Sequence, residues 1–301
     1  MEISKNQFEI LSLIERDGGK HISQRNIAKQ TDLSLGLVNK EIANLVSMGL
    51  INNDDKISQI TDEGIKALEP YRVKRVLIMA AGFGSRMVPI TLNTPKPLVR
   101  VQGKPLIETL LDAIVEAEIS EVVIVTGYLG YQFDSVKAKY NNVTLVYNPL
   151  YNDANNISSA LLVKNLFSNA YVCDADLLIK NPRLIRKYEY NSNYLGMYKD
   201  VTDDWCLTMK NGYISGMQLG GRDCYHMYGI SYWDEDDGKK MSTRIEEAYN
   251  MPGGKEKYWD QVALDVYKDD FKIVVRPCKE GDIVEIDSFT ELKAIDPAYD
   301  R

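Results

Sequence analysis

Histidine is nearly absent from this chain: two in 301 residues, His21 and His226. A histidine-built metal centre or a Ser-His-Asp triad is therefore not expected. The four cysteines, Cys173, Cys206, Cys224 and Cys278, are scattered with no C-x-x-C spacing. That excludes a thiolate zinc ribbon and a dithiol redox motif, and predicts free thiols in a reducing cytoplasm. No apolar run reaches the ~18 residues of a membrane span, and Met1-Glu2-Ile3-Ser4-Lys5 opens no signal-peptide core. Surplus positive charge is missing too: the formal net charge of −7 argues against a general nucleic-acid-binding surface. Internal repeats and low-complexity segments are also lacking. What is present, 45% apolar residues, suffices for an ordinary core in one large or two unequal domains.

Residues 1–70 read as a separate unit. Phe8, Ile10, Leu11, Leu13 and Ile14 give a first helix an apolar face, and Ser23 caps a second. A longer helix runs from Leu35 to Met48 with Leu37, Val38, Ile42, Leu45 and Val46 inward. Asn52-Asn53-Asp54-Asp55 forms a hairpin tip, Ile57 to Ile60 its return strand, and Thr61 opens a last short helix. This order resembles a winged helix-turn-helix of the MarR-like kind. Residues 1–71 carry eight bases against eleven acids, and the recognition helix offers only Lys40, beside Glu41. DNA is thus a possible partner that charge does not support; a dimerisation or regulatory module, and with it a homodimer, is the other reading.

After the short linker Glu69-Pro70-Tyr71-Arg72, strands and helices alternate through residues 74–301, which predicts an α/β domain on a mixed, mainly parallel sheet. Expected strands are Val76–Met79, Glu121–Thr126, Thr144–Tyr147 and Ala170–Cys173. A helix from Leu106 to Ala117 turns Leu106, Leu110, Leu111, Ile114 and Val115 inward. Strand pairs in the second half read as antiparallel, with a hairpin at Lys210-Asn211-Gly212-Tyr213.

The chemistry concentrates after the first of these strands. Ala81-Gly82-Phe83-Gly84-Ser85-Arg86 is a tight glycine loop, and Thr94-Pro95-Lys96-Pro97-Leu98 follows at short distance. A strand, a glycine loop and two cations suit a triphosphate: backbone N–H groups cradle the anion and the cations neutralise it. The loop lacks the third glycine of the dinucleotide fingerprint and the Gly-Lys-Ser/Thr of a P-loop. Asp174 and Asp176 end the fourth strand, and Asp287 closes a short apolar strand near the C-terminus. Such carboxylates project into the crevice of an α/β sheet and, brought together, suit Mg²⁺; for Asp287 a helix cap is the competing reading.

The string Gly-x-Gly-x-Arg, Thr-Pro-Lys-Pro-Leu and Gly-Lys-Pro-Leu-Ile (Gly103 to Ile107) resembles the nucleoside-triphosphate nucleotidyltransferases that make CDP-, UDP- and dTDP-activated metabolites. The likeness is strongest to bacterial CTP:phosphocholine cytidylyltransferases, from about Lys74 onward. It implies a Rossmann-like nucleotidyltransferase fold, CTP and phosphocholine as substrates, and Mg²⁺ on Asp176 and Asp287, with Asp174 a lesser candidate. It implies nucleotide contacts from Ala80, Ala81, Gly82, Phe83, Gly84, Ser85 and Arg86. Arg86 is assigned to the β- and γ-phosphates and Lys96 to the reacting phosphates. Gly127-Tyr128 and the segment of Asn155 and Asn156 would lie by the base, although the asparagines also suit a turn before Ile157.

Three segments set an aromatic beside an acid: Asp204-Trp205, Ser231-Tyr232-Trp233-Asp234 and Tyr258-Trp259-Asp260. Aromatic faces and a carboxylate bind quaternary ammonium, though each ring could equally pack a core. By resemblance Trp205, Trp233, Tyr258 and Trp259 are cage walls and Asp260 their carboxylate partner. The second half lacks the Glu-Lys-Pro segment of sugar nucleotidyltransferases, which favours an amino-alcohol phosphate over a sugar-1-phosphate. Phosphoethanolamine stays open as acceptor, as does a regulator sensing nucleotide through an inactive transferase domain.

Overall fold

The computed structural model describes residues 2–18, 22–54 and 57–300. Lys20, His21, Lys56 and Asp55 of the expected wing tip lie outside them. The chain divides into two compact units, Met1–Arg72 and Val73–Arg301. Among the described residues no helix is long and apolar enough to cross a membrane.

The first unit comprises α1 (Lys5–Arg16), α2 (Gln24–Thr31), α3 (Leu35–Ser47), the antiparallel pair β1 (Ile51–Asp54) and β2 (Ile57–Ile60), and α4 (Asp62–Leu68). Its four helices begin at Ser4, Ser23, Ser34 and Thr61, whose hydroxyls accept from a backbone N–H in the first turn. Phe8, Ile10, Leu11, Leu13 and Ile14 are all buried. On α3, Val38, Ile42 and Leu45 are buried, but Val46 is 40% exposed. It falls one position past Leu45, off the stripe set by the 3.6-residue period. Glu41 turns inward instead, accepting from Gln7 Nε2 at 3.0 Å and Asn44 Nδ2 at 3.1 Å. A carboxylate counted against Lys40 on the recognition helix is thus withdrawn from its surface.

In the second unit β3 (Arg75–Ala80), the short hairpin β4 (Arg100–Val101) and β5 (Lys104–Pro105), α5 (Leu106–Glu116), β6 (Glu121–Thr126), α6 (Asp134–Lys139) and β7 (Val143–Tyr147) come first. Next are α7 (Ile157–Leu162), β8 (Ala170–Asp174), β9 (Leu177–Ile179) and two long strands, β10 (Asn193–Lys210) and β11 (Tyr213–Trp233). Last come α8 (Glu235–Asn250), β12 (Val274–Pro277), β13 (Ile283–Glu285) and α9 (Phe289–Ile295). The central sheet has the order β12-β10-β11-β8-β3-β6-β7. Strands β8, β3, β6 and β7 are mutually parallel, whereas β11 runs antiparallel to β8 and β10. The β10–β11 turn has positive φ at Asn211 and Gly212, the backbone a two-residue hairpin needs.

Helices cover both faces of the parallel part, so β3 is apolar without alternation. Val76, Ile78 and Ala80 join the core with α5; Leu77 and Met79 join the core with α7 and α8. Val115, expected inward on α5, is 55% exposed; Leu106, Ile107, Leu110, Leu111, Ala113 and Ile114 already fill the buried face.

Candidate active site

A cleft of about 690 Å³ opens at the C-terminal ends of β3 and β8. The backbone from Met79 to Arg86 forms one wall. Gly84 sits at φ +66°, and a Cβ there would lie 3.0 Å from Lys96 Cβ and 3.1 Å from Thr91 Cγ2. Thr91 Oγ1 donates to the Gly84 carbonyl at 2.9 Å. The loop is therefore folded down onto the Lys96 segment, which is why glycine is needed there.

Lys96 is buried, and its Nζ lies 2.8 Å from both Asp176 Oδ2 and Asp287 Oδ1. Burial alone would lower its pKa, but the two aspartates hold the ammonium above the ordinary lysine value. Arg86 reaches the same Asp287 Oδ1 at 2.9 Å, with its own side chain 69% exposed. The two sequence-expected cations and two sequence-expected carboxylates thus meet at one point. The helix cap that competed for Asp287 falls to its neighbour: Ser288 caps α9 in a reciprocal box with Glu291, while Asp287 gives that glutamate only its backbone N–H.

Carboxylates outnumber cations here. Asp174, Asp176, Asp204, Asp260, Glu285 and Asp287 line the cleft against Arg86 and Lys96. Burial, then Asp176 and Asp260, holds the Asp174 carboxyl well above its usual range. Burial, then Asp176 and Asp287, pushes Glu285 up to about 8. Burial pushes Asp260 up to about 7, although the Tyr194 hydroxyl, donating to it at 3.0 Å, opposes the shift. Asp176 Oδ1 is buried without a hydrogen-bond partner among the described residues. Oxygens of Asp176, Glu285 and Asp287 lie within 4.8 Å of one another. An orphaned buried oxygen within an all-oxygen donor set fits a hard dication. Glu285 is the member that sequence reasoning passed over; it ends β13 two positions before Asp287, and its carboxylate converges with those of Asp176 and Asp287.

Asp174 has its place carved by Gly229 on β11: a Cβ there would fall 1.9 Å from Asp174 Oδ2 and 2.5 Å from Cγ. Gly229→Ala must displace that carboxyl towards the other acids. We expect about 1–3 kcal/mol lower stability and about tenfold lower kcat/KM, read by thermal melting and steady-state turnover. Unchanged values for both would mean Asp174 has room to rotate away.

The nucleotide-side expectations divide. Ala80 to Arg86 line the cleft, as do Asn155 and Asn156, but Gly127 and Tyr128 stand behind the loop. Tyr128 N–H donates to the Ala81 carbonyl at 3.1 Å and its ring packs 4.2 Å from that of Phe83, so the pair buttresses the loop from outside. Asn155 donates from Nδ2 to the Glu256 carbonyl and accepts at Oδ1 from the Asn156 N–H; Asn156 Oδ1 accepts from the Trp259 N–H. The asparagine side chains therefore tie the start of α7 to the 254–259 segment, and Asn156 at the N-cap makes no side-chain capping bond to the helix. Asn148, Tyr151, Ser158 and Ser159, not singled out from the sequence, share that wall.

Of the expected aromatic walls, Trp205 and Tyr258 face the cleft, 6.0 Å apart at 68°. Asp260 lines it too. Trp233 and Trp259 do not: they are 0% and 1% exposed and pack against each other, Phe167 and Tyr194 in the core beneath. As cage walls these two are corrected to core residues. Trp259 sits in a turn that opens a helix, its carbonyl accepting from the Val262 N–H at 3.1 Å, and its ring goes into the core while its neighbours Tyr258 and Asp260 reach the cleft.

Beside Trp205 lies a second cluster. The pairing of β10 with β11 slips between Thr202 and Trp205, the kind of irregularity that re-aims side chains. Asp204, Glu285 and His226 each offer an atom within 4.8 Å of the other two. His226 Nε2 is 3.9 Å from Glu285 Oε2, and Nδ1 is 3.3 Å from Thr202 Oγ1. Burial, then Lys199, lowers the pKa of the imidazole.

A nucleotidyl transferase family model matches residues 75–192, and a winged helix-turn-helix DNA-binding model matches residues 3–52. The 2-aminoethylphosphonate cytidylyltransferase of Lancefieldella rimae is 35% identical over 227 residues, 74% of this chain and 92% of the relative. The choline-phosphate cytidylyltransferase of Streptococcus pneumoniae is 36% identical over 225 residues, 74% of this chain and 96% of the relative. A solved structure of the Streptococcus pneumoniae CTP:phosphocholine cytidylyltransferase superposes with a TM-score of 0.70 at 35% identity, covering 75% of this chain and 99% of the other. The inositol-1-phosphate CTP transferase of T. maritima shares the fold, with a TM-score of 0.61 at 14% identity. With its glycine loop, paired cations and convergent carboxylates on this scaffold, the chain belongs to the nucleotidyl transferase family, among its cytidylyltransferases, and carries a winged helix-turn-helix unit ahead of that domain.

Proposed function

We propose that this protein transfers CMP from CTP to the phosphate or phosphonate of a small aminoalkyl acceptor, releasing pyrophosphate. The observation that carries the reading is Lys96 Nζ, 2.8 Å from both Asp176 and Asp287, under a glycine loop that ends in Arg86. An acceptor oxygen attacks the α-phosphorus, and the bond from that phosphorus to the oxygen bridging the α- and β-phosphates breaks, so that pyrophosphate leaves. The nucleophile is already an anion, so no protein base is required, and positioning with charge neutralisation is the chain's task. Lys96 is placed to steady the reacting phosphates. Arg86, exposed and on the loop, is placed to reach the β- and γ-phosphates, and amides of residues 81–85 to cradle them. Asp176 and Asp287, with Glu285 alongside, would hold Mg²⁺, which when bound supplies Lewis-acid stabilisation at the α-phosphate.

Phosphocholine, the acceptor implied by sequence resemblance, is one member of this class; primary-amine phosphates and phosphonates are the others, and the two curated relatives named above divide along that line. The absence of Glu-Lys-Pro in the second half supports an amine over a sugar phosphate. The intact set of Arg86, Lys96, Asp176 and Asp287 supports an active transferase over a nucleotide-sensing regulator.

The test crosses CTP, UTP, dTTP and ATP with phosphocholine, phosphoethanolamine, 2-aminoethylphosphonate and glucose-1-phosphate, following pyrophosphate release with Mg²⁺. Turnover confined to CTP with aminoalkyl acceptors is expected. Trp205→Ala should then raise the acceptor KM about tenfold while leaving the CTP KM in place. Turnover with glucose-1-phosphate alone would sink the reading.

A further inference from the structure

Asn155 and Asn156 line the cleft, yet most of their polar atoms are engaged elsewhere. The Asn155 N–H donates to the Lys255 carbonyl at 2.8 Å, and its Nδ2 donates to the Glu256 carbonyl at 3.1 Å. Asn156 Oδ1 accepts from the Trp259 N–H at 2.8 Å. These backbone partners settle which amide atom is which. A carbonyl only accepts and an N–H only donates, so Asn155 presents its nitrogen and Asn156 its oxygen. The Trp259 N–H belongs to the peptide that joins Tyr258 to Trp259, where one ring turns to the cleft and the next to the core. The asparagines are tied on their other side as well. Ser158 Oγ donates to the Asn155 carbonyl at 2.8 Å and accepts from Asn148 Nδ2 at 3.0 Å. Asn148 is 1% exposed, and its own N–H donates to the Thr126 carbonyl at the end of β6. One hydrogen-bonded chain thus runs from β6 through the start of α7 to the loop that carries Tyr258.

We propose that Asn155 and Asn156 are positioning residues for the acceptor side of the cleft: they set the backbone of residues 255–259, and with it the place of the Tyr258 ring 6.0 Å from Trp205, and they do not read the nucleobase. The inference rests on the cytidylyl-transfer reading and assigns these two residues within it. The neighbours use opposite halves of the same side chain: Asn155 acts as a donor, Asn156 as an acceptor. Aspartate has nearly the shape of asparagine, but when ionised it offers acceptors alone. At position 156 it keeps the bond to the Trp259 N–H. At position 155 it loses the bond to Glu256 and sets a carboxylate oxygen against a carbonyl oxygen. Both substitutions add the same charge at adjacent positions, so charge by itself predicts equal effects, whereas positioning predicts unequal ones.

The test is steady-state turnover of the full chain with Mg²⁺, varying CTP, UTP, phosphocholine and 2-aminoethylphosphonate, together with calorimetric binding of CTP alone and thermal melting. Asn155→Asp and Asn156→Leu should each raise the acceptor KM about tenfold, the effect of leaving one backbone partner unpaired. Asn156→Asp should recover most of that loss at saturating CTP, staying within about threefold of wild type. Asn156→Leu should bind CTP as the wild type does, and all three variants should keep the preference for CTP over UTP. Loss of that preference with the acceptor KM in place would assign the asparagines to the base and overturn the proposal. Equal acceptor KM values in the two aspartate variants would overturn it too. So would a lower melting temperature with CTP and acceptor affected alike, which marks a scaffold role. Each of these leaves cytidylyl transfer standing; a wild type that turns over none of the four CTP and UTP pairs removes that reading and the proposal with it.

Discussion

Lys96→Met should lower kcat/KM by about a thousandfold, the size of effect seen when a positioned charge-stabilising donor is lost. The side chain is buried and its charge is secured: the two aspartates outweigh desolvation and keep the ammonium protonated throughout the neutral range. Methionine fills similar space, so the change deletes charge more than volume. The acidic groups would then face one another without the lysine between them. Breaking a buried pair is strongly destabilising because it leaves uncompensated charge. The effect is moderated here because the side chains of Asp176 and Asp287 retain 26% and 16% of their exposure. A stability loss of about 1–3 kcal/mol is expected. Added Mg²⁺ should raise the melting temperature of the variant more than that of the wild type, because a dication neutralises the same carboxylates. Activity within tenfold of wild type would remove Lys96 from the reaction. An equal response of both proteins to Mg²⁺ would separate the aspartates from the metal.

Much of this site was legible in the sequence because it lies on local patterns. β3, β6 and β8 are apolar runs buried on both faces, and the glycine loop and Asp174-Ala175-Asp176 sit at strand ends that periodicity alone marks. Arg86 and Lys96, ten residues apart, read together as cations for one triphosphate, but Asp176 and Asp287 are far apart in the chain, and it was the family resemblance that put one metal on the two of them. Three things were hidden. The α8 helix has no counterpart in the sequence reading, because Met241, Ile245 and Ala248 are its few buried apolar residues in a charged stretch. Glu285 was overshadowed by Asp287. His226 looked solitary because its partners arrive through an irregular pairing of β10 and β11, which no sequence period encodes. The aromatic clusters failed in a different way: composition marks which rings are large, but not which side of the backbone faces the ligand.

Trp259→Ala should destabilise the protein by about 3–5 kcal/mol, the loss expected when a large aromatic leaves a packed core. Its ring touches Phe167 at 5.7 Å, Trp233 at 6.1 Å and Tyr194 at 6.3 Å between centroids. Tyr194 in turn holds Asp260 in the cleft wall, so the alanine variant would disturb the site through its support and is not a clean probe of binding. Trp259→Phe is the sharper comparison. The indole Nε1 is buried without a hydrogen-bond partner among the described residues, so phenylalanine removes an unsatisfied donor along with some volume. A destabilisation below about 1.5 kcal/mol is expected, with the acceptor KM unchanged. In a domain of this size the alanine variant should melt roughly 6–20 °C lower, and the phenylalanine variant within a few degrees of wild type. If the ring formed a wall for the ammonium, phenylalanine would instead raise the acceptor KM at nearly constant melting temperature. That outcome would return Trp259 to the cage, whereas the opposite pattern leaves Trp205 and Tyr258 as the aromatic surface against which the acceptor is bound.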